Sequence, residues 1–185
     1  MNGKNLNISD DLSHIILITG GTKSGKSEFA EYLAKQEKKL SYIALSEKNN
    51  NDKDWQEKIN LHRKRRPKDW KLIETTDLLN TLRKENGPLL IDSIGGFVME
   101  NIGKEHKDWS TKMNSLISLL IKRKTLTFIV GEQVGWSLVS EYKIGNTYIE
   151  RIGELQKRIT KISKDNWLAI NGRAIKIDEI SIEIP

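Results

Sequence analysis

Two kinds of stretch alternate along the chain: short unbroken apolar runs, and longer segments in which apolar residues recur every three to four positions. Residues 14–19, 40–46, 88–93 and 126–130 are of the first kind, the pattern of strands buried on both faces of a parallel sheet. Helices are predicted between them. Phe29, Ala30, Leu33 and Ala34 share one face, Leu78, Leu79 and Leu82 mark a shorter helix, and Trp109, Met113, Leu116, Ile117, Leu120 and Ile121 form an amphipathic stripe closed by Lys122, Arg123 and Lys124. From Ile144 the positions Tyr148, Ile152, Leu155, Ile159 and Ile162 keep helical period for about five turns. Residues 54–65 read as a further helix, stopped by Pro67, and the polar, Asn-rich 47–53 as a loop before it. Residues 70–74 lead into the Leu78 helix, while Gly95 and Gly96 open a stretch to Lys107 without clear period, read as flexible or tightly turned. Near the end, residues 167–170 and 174–177 flank Asn171-Gly172, a hairpin signal. The alternating Ile180, Ile182 and Ile184 suit an edge strand or a contact between subunits.

Strands alternating with helices predict an α/β fold with a mostly parallel sheet and a C-terminal hairpin. Neither a repeat nor a linker interrupts the pattern, so residues 14–185 are expected to form one domain. Residues 1–13, polar and of mixed charge, read as a disordered lead-in.

The first strand runs into Gly20-Gly21-Thr22-Lys23-Ser24-Gly25-Lys26-Ser27, and a helix follows. This is G-x-x-x-x-G-K-[ST] between strand and helix, the context in which the motif binds phosphate, and it specifies a three-layer P-loop NTPase fold. Glycines let the backbone curl until successive N–H groups point inward, and the helix dipole adds positive potential at the same place. Lys26 supplies a mobile cation for the outer phosphates, and Ser27 a hydroxyl for Mg²⁺. Ligands of open α/β sheets gather beyond the carboxyl ends of the strands, so Ala44, Leu45 and Ser46 are expected to face the nucleotide. Asp92 ends an apolar strand, the expected place for the carboxylate that holds Mg²⁺ with Ser27; the alternative is a turn aspartate after a core strand. Gly131–Trp136 would lie at the ligand-facing end of the strand before it.

Composition narrows the partners. The 185 residues carry no cysteine and a net charge of +6, which removes thiolate zinc sites and cysteine nucleophiles and favours anionic ligands. No apolar run approaches a membrane span and the N-terminus lacks the apolar core of a signal peptide, so a cytoplasmic protein without membrane insertion is expected. The basic residues are dispersed, with no aromatic and glycine platform for RNA, so nucleic acid is not an expected partner. The densest basic run, Arg63, Lys64, Arg65 and Arg66, follows His62 on the face that also carries Trp55 and Ile59. By periodicity alone, His62 reads as a packed structural residue or a catalyst, and the basic run as a solvated helix end or a phosphate contact.

The sequence Ile18-Thr19-Gly20-Gly21 through Ser24-Gly25-Lys26-Ser27, Tyr42-Ile43-Ala44, Lys58-Ile59-x-x-His62-Arg63-x-x-Arg66-Pro67-x-x-Trp70 and Asp92 resembles the bifunctional adenosylcobinamide kinase and adenosylcobinamide-phosphate guanylyltransferase family of cobalamin biosynthesis. The His-Arg-x-x-Arg-Pro-x-x-Trp block is its specific part. The resemblance implies ATP and GTP as substrates, Mg²⁺, a corrinoid acceptor, a trimer, and His62 as the residue that carries GMP covalently. Lys26 and Asp92 join His62 as expected catalytic residues, and Glu74 takes a position the family uses near the guanosine. Arg63, Lys64, Arg65 and Arg66 would then neutralise triphosphate and disfavour protonated His62. Because a strand, a loop and most of a helix separate His62 from Lys26, nucleotide is expected to draw them together. The chain departs from the family pattern at 93–97, 131–140 and 146–150. Two other classes fit the P-loop: a kinase of another small molecule without covalent histidine chemistry, and a nucleotide-gated binding protein.

Overall fold

A computed structural model describes residues 13–45, 67–136 and 140–184. In chain order these form β1 (Ile15–Gly20), α1 (Lys26–Ala34), β2 (Ser41–Leu45), β3 (Lys71–Thr75), α2 (Leu78–Lys84), β4 (Leu89–Asp92), α3 (Gly95–Glu100), α4 (His106–Lys122), β5 (Thr127–Glu132), α5 (Lys143–Thr160), β6 (Asp165–Ile170) and β7 (Arg173–Lys176), then a 3₁₀ turn at Ile177–Glu179. All of the expected lead-in at 1–13 but its last residue, Ser13, lies outside the described residues, as do Ser46 with the loop at 47–53, the helix at 54–65 with His62, and Arg63, Lys64, Arg65 and Arg66.

The strands form one sheet in the order β3-β2-β4-β5-β1-β6-β7. Every pairing is parallel except β6 with β7. Alternate strand residues feed two cores. Ile18, Tyr42, Leu90, Phe128 and Val130 meet Ala30 and Ala34 of α1. Leu17, Ile43, Ile91 and Ile129 meet α2, α3, α4 and α5 on the opposite face. Burial on both faces explains why these strands read as unbroken apolar runs. Helices on both sides of a mostly parallel sheet are the expected three-layer α/β architecture, with the C-terminal hairpin in place. At its turn Asn171 and Gly172 have φ of 49° and 74°, the left-handed pair that a two-residue hairpin demands.

Three segments differ from expectation. Most of the connection read at 70–74 belongs to β3 (Lys71–Thr75), an edge strand with Lys71 and Leu72 exposed; an edge strand buries less and so lacks the apolar run that marks an inner one. Gly95 and Gly96, read as flexible or turned, begin the short helix α3. A Cβ on Gly96 would strike the Leu45 carbonyl, and one on Gly95 the Tyr148 hydroxyl and the Glu132 carboxylate, so these glycines serve close packing. The isoleucines of the tail do not extend the sheet: after the 3₁₀ turn, Ile180, Ile182 and Ile184 are exposed and outside any strand. Asp178 instead fastens the turn to β6, accepting from the Asn166 backbone N–H at 2.7 Å and side-chain amide at 2.9 Å. Among the described residues no helix is long and apolar enough to cross a membrane.

Candidate active site

The loop between β1 and α1 owes its shape to its sequence. Gly20 ends β1 where a Cβ would lie 2.5 Å from the Ala169 carbonyl oxygen and from Ser24 Oγ, a space only glycine leaves free. Lys23 and Gly25 take φ of 57° and 92°. Hydrogen bonds from Ser24 N–H to Gly21 O, 3.3 Å, and from Gly172 N–H to Ser24 O, 3.0 Å, fix the curl, so the β6–β7 turn braces the loop from outside. Gly25, the N-cap of α1, offers no side chain to the first helical N–H groups. Those donors, unpaired within any helix, are left to an anion.

Lys26, Ser27 and Asp92 meet at the mouth of this loop. Lys26 Nζ donates to Gly21 O at 3.2 Å, arched over the curl. Ser27 Oγ donates to Asp92 Oδ1 at 3.2 Å, and the Tyr42 hydroxyl to Asp92 Oδ2 at 2.5 Å. The juxtaposition follows from strand order: β5 lies between β1 and β4, and all three end on the same side. Register aligns Asp92 with Ala44, and Ala44 with Glu74. Asp92, Ala44 and Glu74 therefore form a row across three strands, with Glu74 about 10 Å from Asp92 at the usual strand spacing. Leu45 belongs to the core on the face opposite α1, so its side chain points away from the phosphate loop. Thr22 and Lys23 are exposed at the rim of the loop and Gly21 is half-buried.

Glu132, at the end of β5, was read only as part of a ligand-facing segment. It pairs in register with Gly20, and Gln133 N–H donates to Gly20 O at 2.9 Å, which fixes this strand end beside the phosphate loop. One carboxylate oxygen, Oε1, accepts from the Ser93 hydroxyl. The other, Oε2, is buried without a hydrogen-bond partner among the described residues. Burial is the main cause that pushes the Glu132 carboxyl above its ordinary value, with Asp92 adding to the rise while the Ser93 hydroxyl and the Lys26 cation oppose it. Tyr148 is raised as well, by burial first and then by the Glu132 charge. Tyr42, Ser93 and Tyr148 had no individual signal in the sequence as site residues. Tyr42 reads as part of the apolar run at 40–46 and of the block that carries the family resemblance, and Tyr148 as an apolar periodic position; only the assembled sheet shows where their hydroxyls go.

Ser27 and Asp92 present two hard oxygens side by side, the donor chemistry that suits Mg²⁺. No group of three or more His, Cys, Asp or Glu gathers to hold a metal among the described residues. The fit is therefore to an ion that takes its remaining ligands from phosphate and water, as Mg²⁺ commonly does.

Comparison with known proteins agrees with this geometry. The family model for cobinamide kinase / cobinamide phosphate guanyltransferase matches residues 16–177. The chain is 24% identical to the bifunctional adenosylcobalamin biosynthesis protein CobU of Escherichia coli (strain K12), over 88% of this chain and 99% of that one. To its counterpart from Salmonella typhimurium (strain LT2) it is 25% identical, with the same coverage. Among solved structures, an ATPase from the type III secretion system of pathogenic bacteria superposes with a TM-score of 0.53 at 13% identity, over 86% of this chain and 53% of that one. The chain thus spans about half that ATPase's length. A structure from Pyrococcus horikoshii OT3 gives 0.52 at 7% identity, covering 93% of this chain and 91% of that one. At such identities the structures speak for the shared fold alone. The match across the phosphate loop, the Asp92 strand and nearly the whole chain shows that this protein belongs to the cobinamide kinase / cobinamide phosphate guanyltransferase family of transferases.

Proposed function

We propose that this protein phosphorylates adenosylcobinamide with ATP or GTP and then transfers GMP from GTP, through a guanylyl-histidine on His62, to give adenosylcobinamide-GDP. The observation that carries the reading is the convergence of Lys26, Ser27 and Asp92 at one phosphate loop, in a chain of this family. In the kinase step Gly20, Gly21, Thr22, Lys23, Ser24 and Gly25 hold the triphosphate with backbone N–H groups, and Lys26 leaves its resting bond to Gly21 for the outer phosphates. The hydroxyl of the corrinoid's aminopropanol arm forms a bond to the γ-phosphorus as the bond to the β–γ bridging oxygen breaks. Little covalent work falls to the protein here; positioning and charge neutralisation dominate. Mg²⁺ held by Ser27 and Asp92 would neutralise phosphate charge.

In the second step neutral His62 attacks the α-phosphorus of GTP, pyrophosphate leaves, and the phosphate of cobinamide phosphate displaces the histidine. Two easier displacements replace one difficult one. Arg63, Lys64, Arg65 and Arg66 favour the unprotonated imidazole and meet the triphosphate, and Glu74 is assigned to the guanosine. A homo-oligomer, a trimer on the family pattern, is part of the same reading, and the exposed Ile180, Ile182 and Ile184 support a contact between subunits.

The test is covalent labelling. After incubation with α-labelled GTP and Mg²⁺ and then denaturation, acid-labile, base-stable label should remain on the wild-type chain and be absent from His62→Ala. Equal label on both would assign the covalent chemistry elsewhere, and no label on either would leave the guanylyl-histidine without support.

A further inference from the structure

We propose that Glu132 accepts the proton of the acceptor hydroxyl in the kinase step, with Ser93 as the residue that positions it; this rests on the kinase step proposed above. Three observations lead there. The end of β5 is held beside the phosphate loop, because Glu132 pairs with Gly20 and the next residue bonds the Gly20 carbonyl. The two carboxylate oxygens are treated differently: Ser93 holds Oε1, while Oε2 is buried without a partner among the described residues. A buried, unpaired acceptor costs stability and calls for an explanation. Room is also kept for this arrangement, since Gly95 leaves open the space where a Cβ would sit 2.7 Å from Glu132 Oε2.

The charged and titratable groups facing the carboxylate come from every element around it: Lys26 of α1, Asp92 of β4 and Tyr148 of α5. Lys26 and Asp92 are the residues assigned to the transferring phosphate and its cation, and Glu132 sits between them in the fold: it pairs in register with Gly20 at the start of the loop and is held by Ser93, the residue after Asp92. Burial makes Glu132 a stronger base than an exposed carboxylate. In the step itself the acceptor oxygen bonds to the γ-phosphorus, the β–γ bridging bond breaks to release the nucleoside diphosphate, and the hydroxyl proton passes to Oε2. It leaves for solvent after the product departs. Ser93 keeps Oε1 occupied and so directs Oε2 at the hydroxyl.

Glu132→Gln keeps size and removes the base. With saturating ATP and adenosylcobinamide, its phosphorylation kcat should fall about a hundredfold or more, the usual effect of a general base. Affinity for a fluorescent GDP analogue and covalent labelling by α-labelled GTP should stay within about twofold of wild type. Glu132→Asp should recover part of the lost rate, and Ser93→Ala should lower kcat several-fold with little change in nucleotide affinity; both also decide the matter if Glu132→Gln does not fold. Wild-type kcat in Glu132→Gln, or in both other variants, overturns the proposal. So does a loss of nucleotide affinity as large as the loss of rate, which marks a structural role. A wild-type chain unable to phosphorylate adenosylcobinamide overturns the kinase reading, and this proposal with it.

Discussion

At the scale of single residues, Lys26 at the start of α1 and Glu132 at the end of β5 make different predictions. Lys26, at rest on the Gly21 carbonyl, would serve both chemical steps because each moves charge on a nucleotide's phosphates. Lys26→Ala should therefore lower phosphorylation and guanylyl transfer together by a few hundredfold, since removing one well-placed cation from a transition state costs about 3–4 kcal/mol. Steady-state kinetics of both half-reactions check this, and wild-type phosphorylation in the variant would move the kinase site away from the loop. Glu132 makes its mark on stability. Burial raises its folded-state pKa above the ordinary 4.5, so the folded chain binds that proton more tightly than the unfolded one. The resulting stability is complete below the ordinary value and is lost as pH rises through the folded value. Glu132→Gln, neutral throughout, should gain Tm relative to wild type between pH 4 and pH 8 in ligand-free calorimetry. A Tm difference that does not change with pH would contradict the buried charge. A functional group that lowers stability is a familiar exchange at active sites.

At the scale of elements, the apolar runs of β1, β2, β4 and β5 and the stripes of α1, α4 and α5 were legible because burial on two faces or on one stripe writes directly into the sequence. The phosphate loop was legible because its glycines have no substitute, as the Ala169 carbonyl beside Gly20 shows. What stayed hidden was set by neighbours far along the chain. β3 has one strand partner, β2, so its residues carry no strong period. Gly95 and Gly96 look like a turn because glycine usually breaks helices, whereas here the pressing neighbours are Leu45, Glu132 and Tyr148. Ser93 and Glu132 lie 39 positions apart, and Tyr42 and Asp92 lie 50; only the crossover order of the sheet brings these pairs together. Gly96→Ala tests the helix reading. Its Cβ would fall against the Leu45 carbonyl and 2.5 Å from Leu45 Cβ, and backbone cannot retreat as a flexible side chain can. Destabilisation of about 1–3 kcal/mol is expected in urea unfolding, and an unchanged midpoint would mean α3 does not press on β2.

At the scale of the whole molecule, placing β5 between β1 and β4 gathers Gly20, Asp92 and Glu132 at one end of the sheet, beside the phosphate loop. The family is a bifunctional kinase and guanyltransferase, and the proposed function divides the labour: the loop would serve both steps, and His62 the second alone. The most direct measurement is the mass of the corrinoid formed from adenosylcobinamide, GTP and Mg²⁺ by wild-type protein and by His62→Ala. The expected result is adenosylcobinamide-GDP from the wild type and accumulation of adenosylcobinamide phosphate from His62→Ala. Formation of the GDP product by His62→Ala, or no phosphorylated corrinoid from either protein, would contradict the account.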